Sequence, residues 1–116
     1  MTGPTGPTGA TGLSIIENYQ VTNAGVGSYT ISGFSNPTLT LVRGQTYFFT
    51  VNASGHPFWI KTAATTGTTD QYNTGVTNNG DDVGGITFTV PAGAPNTLYY
   101  VCEFHSSMQG DLNIVG

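Results

Sequence analysis

From residue 13 onward the sequence consists of short runs rich in Val, Ile, Thr, Tyr and Phe, separated by clusters of Gly, Pro and Asn. Such runs are typical of β-strands bounded by turns. No stretch combines apolar residues at the helical spacing i, i+3, i+4 and i+7 with capping residues, so helices are not expected. Strands are predicted at residues 14–22, 28–32, 38–42, 46–52, 57–61, 85–90, 97–102 and 110–115. The sequence therefore predicts an all-β fold, a β-sandwich or barrel of about eight strands.

Residues 62–84 depart from this pattern, because Thr, Gly, Asn and Asp dominate and large apolar side chains are few. A loop of this length is usually functional or mobile. We expect it to have little regular structure, to wrap the edge of the sandwich and to carry no chemistry. The neighbouring acids Asp81 and Asp82 lack the further oxygen donors that calcium needs, so a solvated turn is expected there.

Residues 1–12 form a separate segment with glycine at every third position. This is the collagen Gly-X-Y period, but four triplets are too few to hold a triple helix. The segment is therefore either a linker or the end of a collagen-like stalk, and a longer stalk upstream would make the protein a trimer. It resembles stalks on bacterial surface, spore-coat and some viral structural proteins. That resemblance favours an extracytoplasmic, cell-surface or virion-associated location.

The charge balance argues against two classes of partner. Only Arg43 and Lys61 are basic, against six acidic residues, and the net charge is -4. Two basic residues cannot build a phosphate-binding surface, so no nucleic-acid partner is expected. No apolar stretch reaches the roughly 20 residues of a transmembrane helix, so no membrane span is expected. No signal peptide is recognisable after Met1, and the location is otherwise left open.

Four potential metal ligands stand out because the chain contains so few of them. Cys102 is the only cysteine, His105 and Met108 follow it at intervals of three, and the only other histidine is His56. Taken alone, a single cysteine is more often a buried, inert thiol. Together, one thiolate, two imidazoles and one thioether are the donors of a blue-copper site, with the Met as a weak axial ligand. The sequence therefore predicts one copper ion at these four residues, although the same donors can also accept zinc.

Two segments of the chain resemble the cupredoxin family, VRGQTYFFTVNASGHPF at 42–58 and YYVCEFHSSMQG at 99–110. The resemblance covers residues 13–116, which are then a cupredoxin-like domain, and the loop with two residues between each pair of ligands is similar to that of amicyanin. It implies a Greek-key β-sandwich with one type 1 copper that alternates between Cu(I) and Cu(II). It also implies one-electron transfer to a redox partner protein rather than an enzymatic activity.

The residues beside His56 modify the site that this resemblance implies. In the family the residue after the first histidine is often Asn, which braces the two ligand loops and offers its N–H to the cysteine sulfur. Here that residue is Pro57, which has no N–H, so one hydrogen bond to the sulfur is lost and the resemblance does not imply the brace. Some members have Pro directly before the second histidine, whereas here Phe104 keeps an N–H that could reach the Cys102 sulfur, so the two departures partly cancel. Gly55 precedes His56 as in azurins, and a weak axial contact from the Gly55 carbonyl is a further expectation.

A function of another class stays open. If residues 1–12 end a longer collagen-like fibre, the domain is a structural head in which copper stabilises the sandwich or has no role. No Ser-His-acid arrangement remains once both histidines are assigned to the metal, so no enzymatic activity is expected.

Overall fold

The computed structural model describes residues 15–116, and the segment predicted as collagen-like or linker at 1–12 lies outside them. The described chain contains ten β-strands and no α-helix, which confirms the all-β class. Within this part of the chain, no helix therefore has the length and apolar character to cross a bilayer. The strands are β1 Ile15–Ala24, β2 Ser28–Ile31, β3 Phe34–Ser35, β4 Leu39–Val42, β5 Thr46–Asn52, β6 Phe58–Lys61, β7 Val76–Thr77, β8 Val83–Thr89, β9 Thr97–Cys102 and β10 Gln109–Val115.

The strands form two sheets that pack as a sandwich. The six-stranded sheet has the order β3-β2-β1-β5-β8-β7, and the four-stranded sheet has the order β4-β10-β9-β6. The pairs β1–β5 and β4–β10 are parallel, and the other pairs are antiparallel. The predicted count of about eight is low because β3 and β7 were not expected. Each has only two residues, too few for an alternating pattern to be read.

The core lies between the sheets and is built by alternation along the strands. In β5, Tyr47, Phe49 and Val51 are buried while Phe48 and Thr50 are half-buried, as a strand with one face on the core requires. The aromatic ring of Phe58 lies 5.0 Å from that of Tyr29 and 5.3 Å from that of Tyr100, measured between centroids. Such offset and edge-to-face pairs add to the burial energy of the rings. The largest fully buried apolar side chains are Tyr29, Ile31, Leu41, Phe49, Phe58, Ile60, Ile86, Phe88, Leu98, Tyr100 and Met108.

The long connection between β6 and β8 covers the outer edge of β6, as the composition predicted. The amide of Tyr72 donates to the Ile60 carbonyl at 2.9 Å, and the amide of Gly80 donates to the Phe58 carbonyl at 2.9 Å. The side chain of Asn79 accepts from the Ile60 amide at 2.7 Å and donates back to the Ile60 carbonyl at 3.1 Å. Apart from β7, the connection is irregular and is held by these contacts.

Candidate metal centre

Strand pairing brings the predicted ligands to one end of the sandwich. Cys102 is the last residue of β9 and stands opposite Phe58, the first residue of β6. His56 precedes Phe58 by two residues, in the turn that leads out of β5, so this register carries His56 to the thiol. His105 lies in the tight turn between β9 and β10, directly after Cys102.

Three donor atoms converge at this end. The Cys102 Sγ lies 3.8 Å from the His56 Nδ1 and 3.6 Å from the His105 Nδ1. The two imidazole rings are 5.0 Å apart between centroids and inclined by 45°. Ligand atoms of all three residues lie within 4.8 Å of one another. The sequence pattern had selected these three side chains, and the fold brings them together from two separate turns.

The spacing of these atoms suits a single bound metal ion. Metal–sulfur and metal–nitrogen bonds of about 2.3 and about 2.0 Å, meeting at about 110–120°, place the sulfur and the nitrogen about 3.5–3.7 Å apart. The two observed distances from Sγ to Nδ1 match this closely. The thiol is fully buried and both imidazoles are half-buried, so the site has a dry inner side and a partly open outer side. A soft sulfur and two imidazole nitrogens suit copper or zinc and not calcium or magnesium.

Met108 is the last residue of the turn after β9, and backbone hydrogen bonds fix its position. Its side chain is fully buried, its amide donates to the His105 carbonyl at 3.1 Å, and its carbonyl accepts from the Cys102 amide at 2.9 Å. Gly55 has a φ of 83°, a conformation that favours glycine. Coordination by the Met108 thioether and by the Gly55 carbonyl stays a prediction.

Pro57 links the two turns that carry the predicted ligands, because its carbonyl accepts a backbone hydrogen bond. Its carbonyl accepts from the amide of Glu103 at 3.1 Å. The hydroxyl of Tyr29 lies 2.6 Å from the His56 carbonyl and 3.1 Å from the Pro57 carbonyl. Burial raises the pKa of Tyr29 far above its usual value, and the neighbouring Cys102 raises it further, so the hydroxyl stays protonated and can donate.

Asp81 and Asp82, two acids that were expected to form a solvated turn, also hold the turn that carries His56. The Asp82 carboxylate accepts from the amide of Gly55 at 2.9 Å, and the Asp82 carbonyl accepts from the amide of Ala53 at 2.9 Å. The Asp81 carbonyl accepts from the amide of Phe58 at 3.1 Å. Nothing in the local sequence signals this role, because it depends on the loop folding back over β6.

A buried lysine fastens the same long loop to the cysteine strand. Lys61 is fully buried, and its ammonium donates to the carbonyls of Thr65 and Gly67, each at 2.7 Å. The amide of Gly67 in turn donates to the Glu103 carbonyl at 2.7 Å, one residue after Cys102. Burial lowers the pKa of Lys61, and the carboxylates of Asp70 and Glu103 oppose that shift. The loop is thereby attached to the strand that carries Cys102.

Comparison with solved structures identifies the fold. The copper protein rusticyanin matches with a TM-score of 0.62 at 22% identity, over 87% of this chain and 79% of that chain. Rusticyanin from Thiobacillus ferrooxidans matches with a TM-score of 0.60 at 24% identity, over the same shares of the two chains. The chain has the cupredoxin fold. At these identities the likeness concerns the fold alone, and neither a protein-family model nor a curated protein sequence matches the chain.

Proposed function

We propose that this cupredoxin-like domain binds one copper ion and transfers single electrons, without transforming a substrate. The observation that carries the proposal is the convergence of the Cys102 Sγ with two imidazole Nδ1 atoms at 3.6 and 3.8 Å. Bound copper would supply the one-electron chemistry by alternating between Cu(I) and Cu(II). The protein contributes the donors and the frame that keeps them in place.

The four predicted ligands have distinct roles in this proposal. Cys102 supplies the strong thiolate bond, His56 and His105 complete the plane, and Met108 is the weak axial donor. The Gly55 carbonyl is a further, weaker axial contact. Two residues separate each pair of ligands in the turn after β9, which is the amicyanin-like arrangement.

The turn that bears three of these ligands is short and internally hydrogen bonded, which suits electron transfer. The Cys102 amide donates to the Met108 carbonyl, and the Met108 amide donates to the His105 carbonyl, at 2.9 and 3.1 Å. These bonds restrain the backbone on both sides of His105. A frame that resists rearrangement lets the site change its charge by one electron without a large movement of its ligands.

The open side of the site offers a surface for a redox partner protein. Phe104, beside His105, is 62% exposed, and Val26 is 58% exposed. The Ser107 hydroxyl donates to the Val26 carbonyl at 2.7 Å, so Val26 lies next to the ligand turn. Apolar side chains around a half-buried ligand histidine suit brief docking. An extracytoplasmic, cell-surface or virion-associated location, and a trimer on a longer stalk, stay predictions.

An optical spectrum of the full chain loaded with Cu(II) tests the proposal. We expect one copper per chain and an intense visible band from charge transfer between thiolate and copper. Cys102→Ser should abolish the band, whereas Ser106→Ala, a change in the same turn that removes no ligand, should keep it. A colourless wild-type protein would contradict the copper site and favour the structural head domain.

A further inference from the structure

Two residues outside the ligand set, Tyr29 and Asn36, connect both ligand-bearing turns. Tyr29 belongs to β2 in the six-stranded sheet, and its side chain is fully buried. Its ring packs edge-on against Phe58, at 5.0 Å and an interplanar angle of 68°. Because Phe58 is the strand partner of Cys102, the Tyr29 ring packs against the residue that pairs with the thiol-bearing strand end.

The hydroxyl of Tyr29 holds the turn that carries His56. A phenol has one proton to donate, and the distance of 2.6 Å to the His56 carbonyl against 3.1 Å to the Pro57 carbonyl assigns that proton mainly to His56. The carbonyls of His56 and Pro57 are both held by donors from other parts of the chain. The Tyr29 hydroxyl comes from the opposite sheet, and the Glu103 amide follows β9.

The backbone of Tyr29 is tied to Asn36, which holds the other turn. The Tyr29 amide donates to the Asn36 side-chain oxygen at 2.9 Å, and the Asn36 amide donates to the Tyr29 carbonyl at 2.8 Å. The side-chain amide of Asn36 then donates to the Ser107 carbonyl at 2.9 Å, between His105 and Met108. Asn36 has a positive φ of 41°, which asparagine tolerates better than most residues.

We propose that Tyr29 and Asn36 act as one brace that sets the separation of the two ligand turns. One end of the brace is the Tyr29 hydroxyl on His56, and the other end is the Asn36 side chain on Ser107. Both are positioning residues, since neither belongs to the ligand set. The inference rests on the proposed copper function. Outer partners of metal ligands commonly change metal affinity about 10- to 100-fold when they are removed.

The test compares the full-length wild type with Tyr29→Phe, Asn36→Gly and the double variant. Phenylalanine keeps the ring in its aromatic cluster, and glycine keeps the positive φ of Asn36 while removing its side chain. Tyr47→Phe is the matched control, because the Tyr47 side chain is also buried and its hydroxyl accepts from the Val42 amide at 2.9 Å, far from the ligand turns at the other end of β5.

Each single variant should bind copper about 10- to 100-fold more weakly and shift the visible band. The double variant should lose less binding free energy for copper than the two single variants lose together, because both changes break the same brace. Tyr47→Phe should leave affinity and band unchanged. If Tyr29→Phe and Asn36→Gly bind copper as tightly as Tyr47→Phe does, the brace is refuted.

Metal-free protein separates this inference from the copper proposal. Hydrogen exchange should be faster at the amides of His56 and Glu103 in Tyr29→Phe than in Tyr47→Phe, whether or not copper binds. A wild type that binds no copper would refute the proposed function. The hydrogen-exchange comparison of the metal-free variants would still test the brace. Equal exchange in the two variants would overturn it.

Discussion

Phe58 and Cys102 are direct partners in the antiparallel ladder between β6 and β9. This pairing brings the turn that carries His56 to the thiol. The distance between the His56 imidazole and the Cys102 thiol is therefore set by strand register as well as by the conformation of that turn. A slip of one residue would move every side chain of the strand to the other face of the sheet. The packing of the Phe58 ring against Tyr29 and Tyr100 disfavours such a slip.

The axial position can be tested with Met108→Leu, which keeps the volume of the buried side chain. If the thioether is an axial donor, the visible band should persist, because the thiolate bond is unchanged. The reduction potential should rise, because Cu(I) tolerates the loss of a ligand better than Cu(II) does. Voltammetry of the two proteins measures this, and identical potentials would argue against coordination by Met108.

Copper should stabilise the folded protein, because the unfolded chain does not hold the ligands together. At a free concentration a thousandfold above Kd the gain is about 4 kcal/mol. For a domain of this size that corresponds to a rise in melting temperature on the order of 15 °C or more. Calorimetry with and without copper measures the rise, which should be smaller in His56→Ala. Equal melting temperatures for the metal-free and loaded wild type would speak against the site.

The carboxylate of Asp82 should stabilise the His56 turn even without metal. Asp82→Ala removes the acceptor of the Gly55 amide and should lower the free energy of unfolding by about 1–2 kcal/mol. Asp82→Asn keeps a side-chain oxygen and should cost less. Asp111→Ala, at an exposed acid on β10, controls for the change in net charge. Urea unfolding of the metal-free variants measures these changes. Equal losses of unfolding free energy in Asp82→Ala and Asp111→Ala would contradict the role of Asp82.

Buried Lys61 should make stability depend on pH in the alkaline range. The unfolded chain keeps this proton up to about pH 10.4, whereas the folded chain, in which burial lowers the pKa, releases it at a lower pH. Between these two values the unfolded state binds more protons, so the free energy of unfolding rises with pH. The neutral amine still has two N–H groups, one for each of its carbonyl partners, Thr65 and Gly67.

Comparison with Lys61→Met isolates this contribution, because all other titrating groups are shared. Wild type should gain stability relative to Lys61→Met as the pH rises from neutral toward about 10. Urea unfolding at a series of pH values measures the difference. A difference that stays constant or falls with pH would show that Lys61 is not held at a lowered pKa.

Local pattern was enough to predict the strands that build the core. The predicted runs 46–52 and 97–102 coincide with β5 and β9, because both alternate or concentrate large apolar residues between clear turn signals. β3 was missed, since Phe34 and Ser35 are both exposed and carry no periodicity. The parallel pairing of β1 with β5 joins segments about thirty residues apart, and no local signal specifies it.

The candidate site also contains residues that the sequence could predict and residues that it could not. His56, Cys102 and His105 could be selected by chemistry, because the chain has almost no other soft donors. The residues that hold them in place could not, because Tyr29 and Asn36 are ordinary strand and turn residues in the sequence. Their role arises only when the two sheets pack.

The loop over β6 also bears on how molecules of this protein meet one another. A border strand normally exposes amide and carbonyl groups that can recruit a strand from a second copy. On β6 the backbone groups of Phe58 and Ile60 that point away from β9 are already bonded to the loop. Two copies that approach each other beside the candidate metal centre therefore find no template for strand addition at β6. In the four-stranded sheet that hazard is confined to β4, at the opposite border.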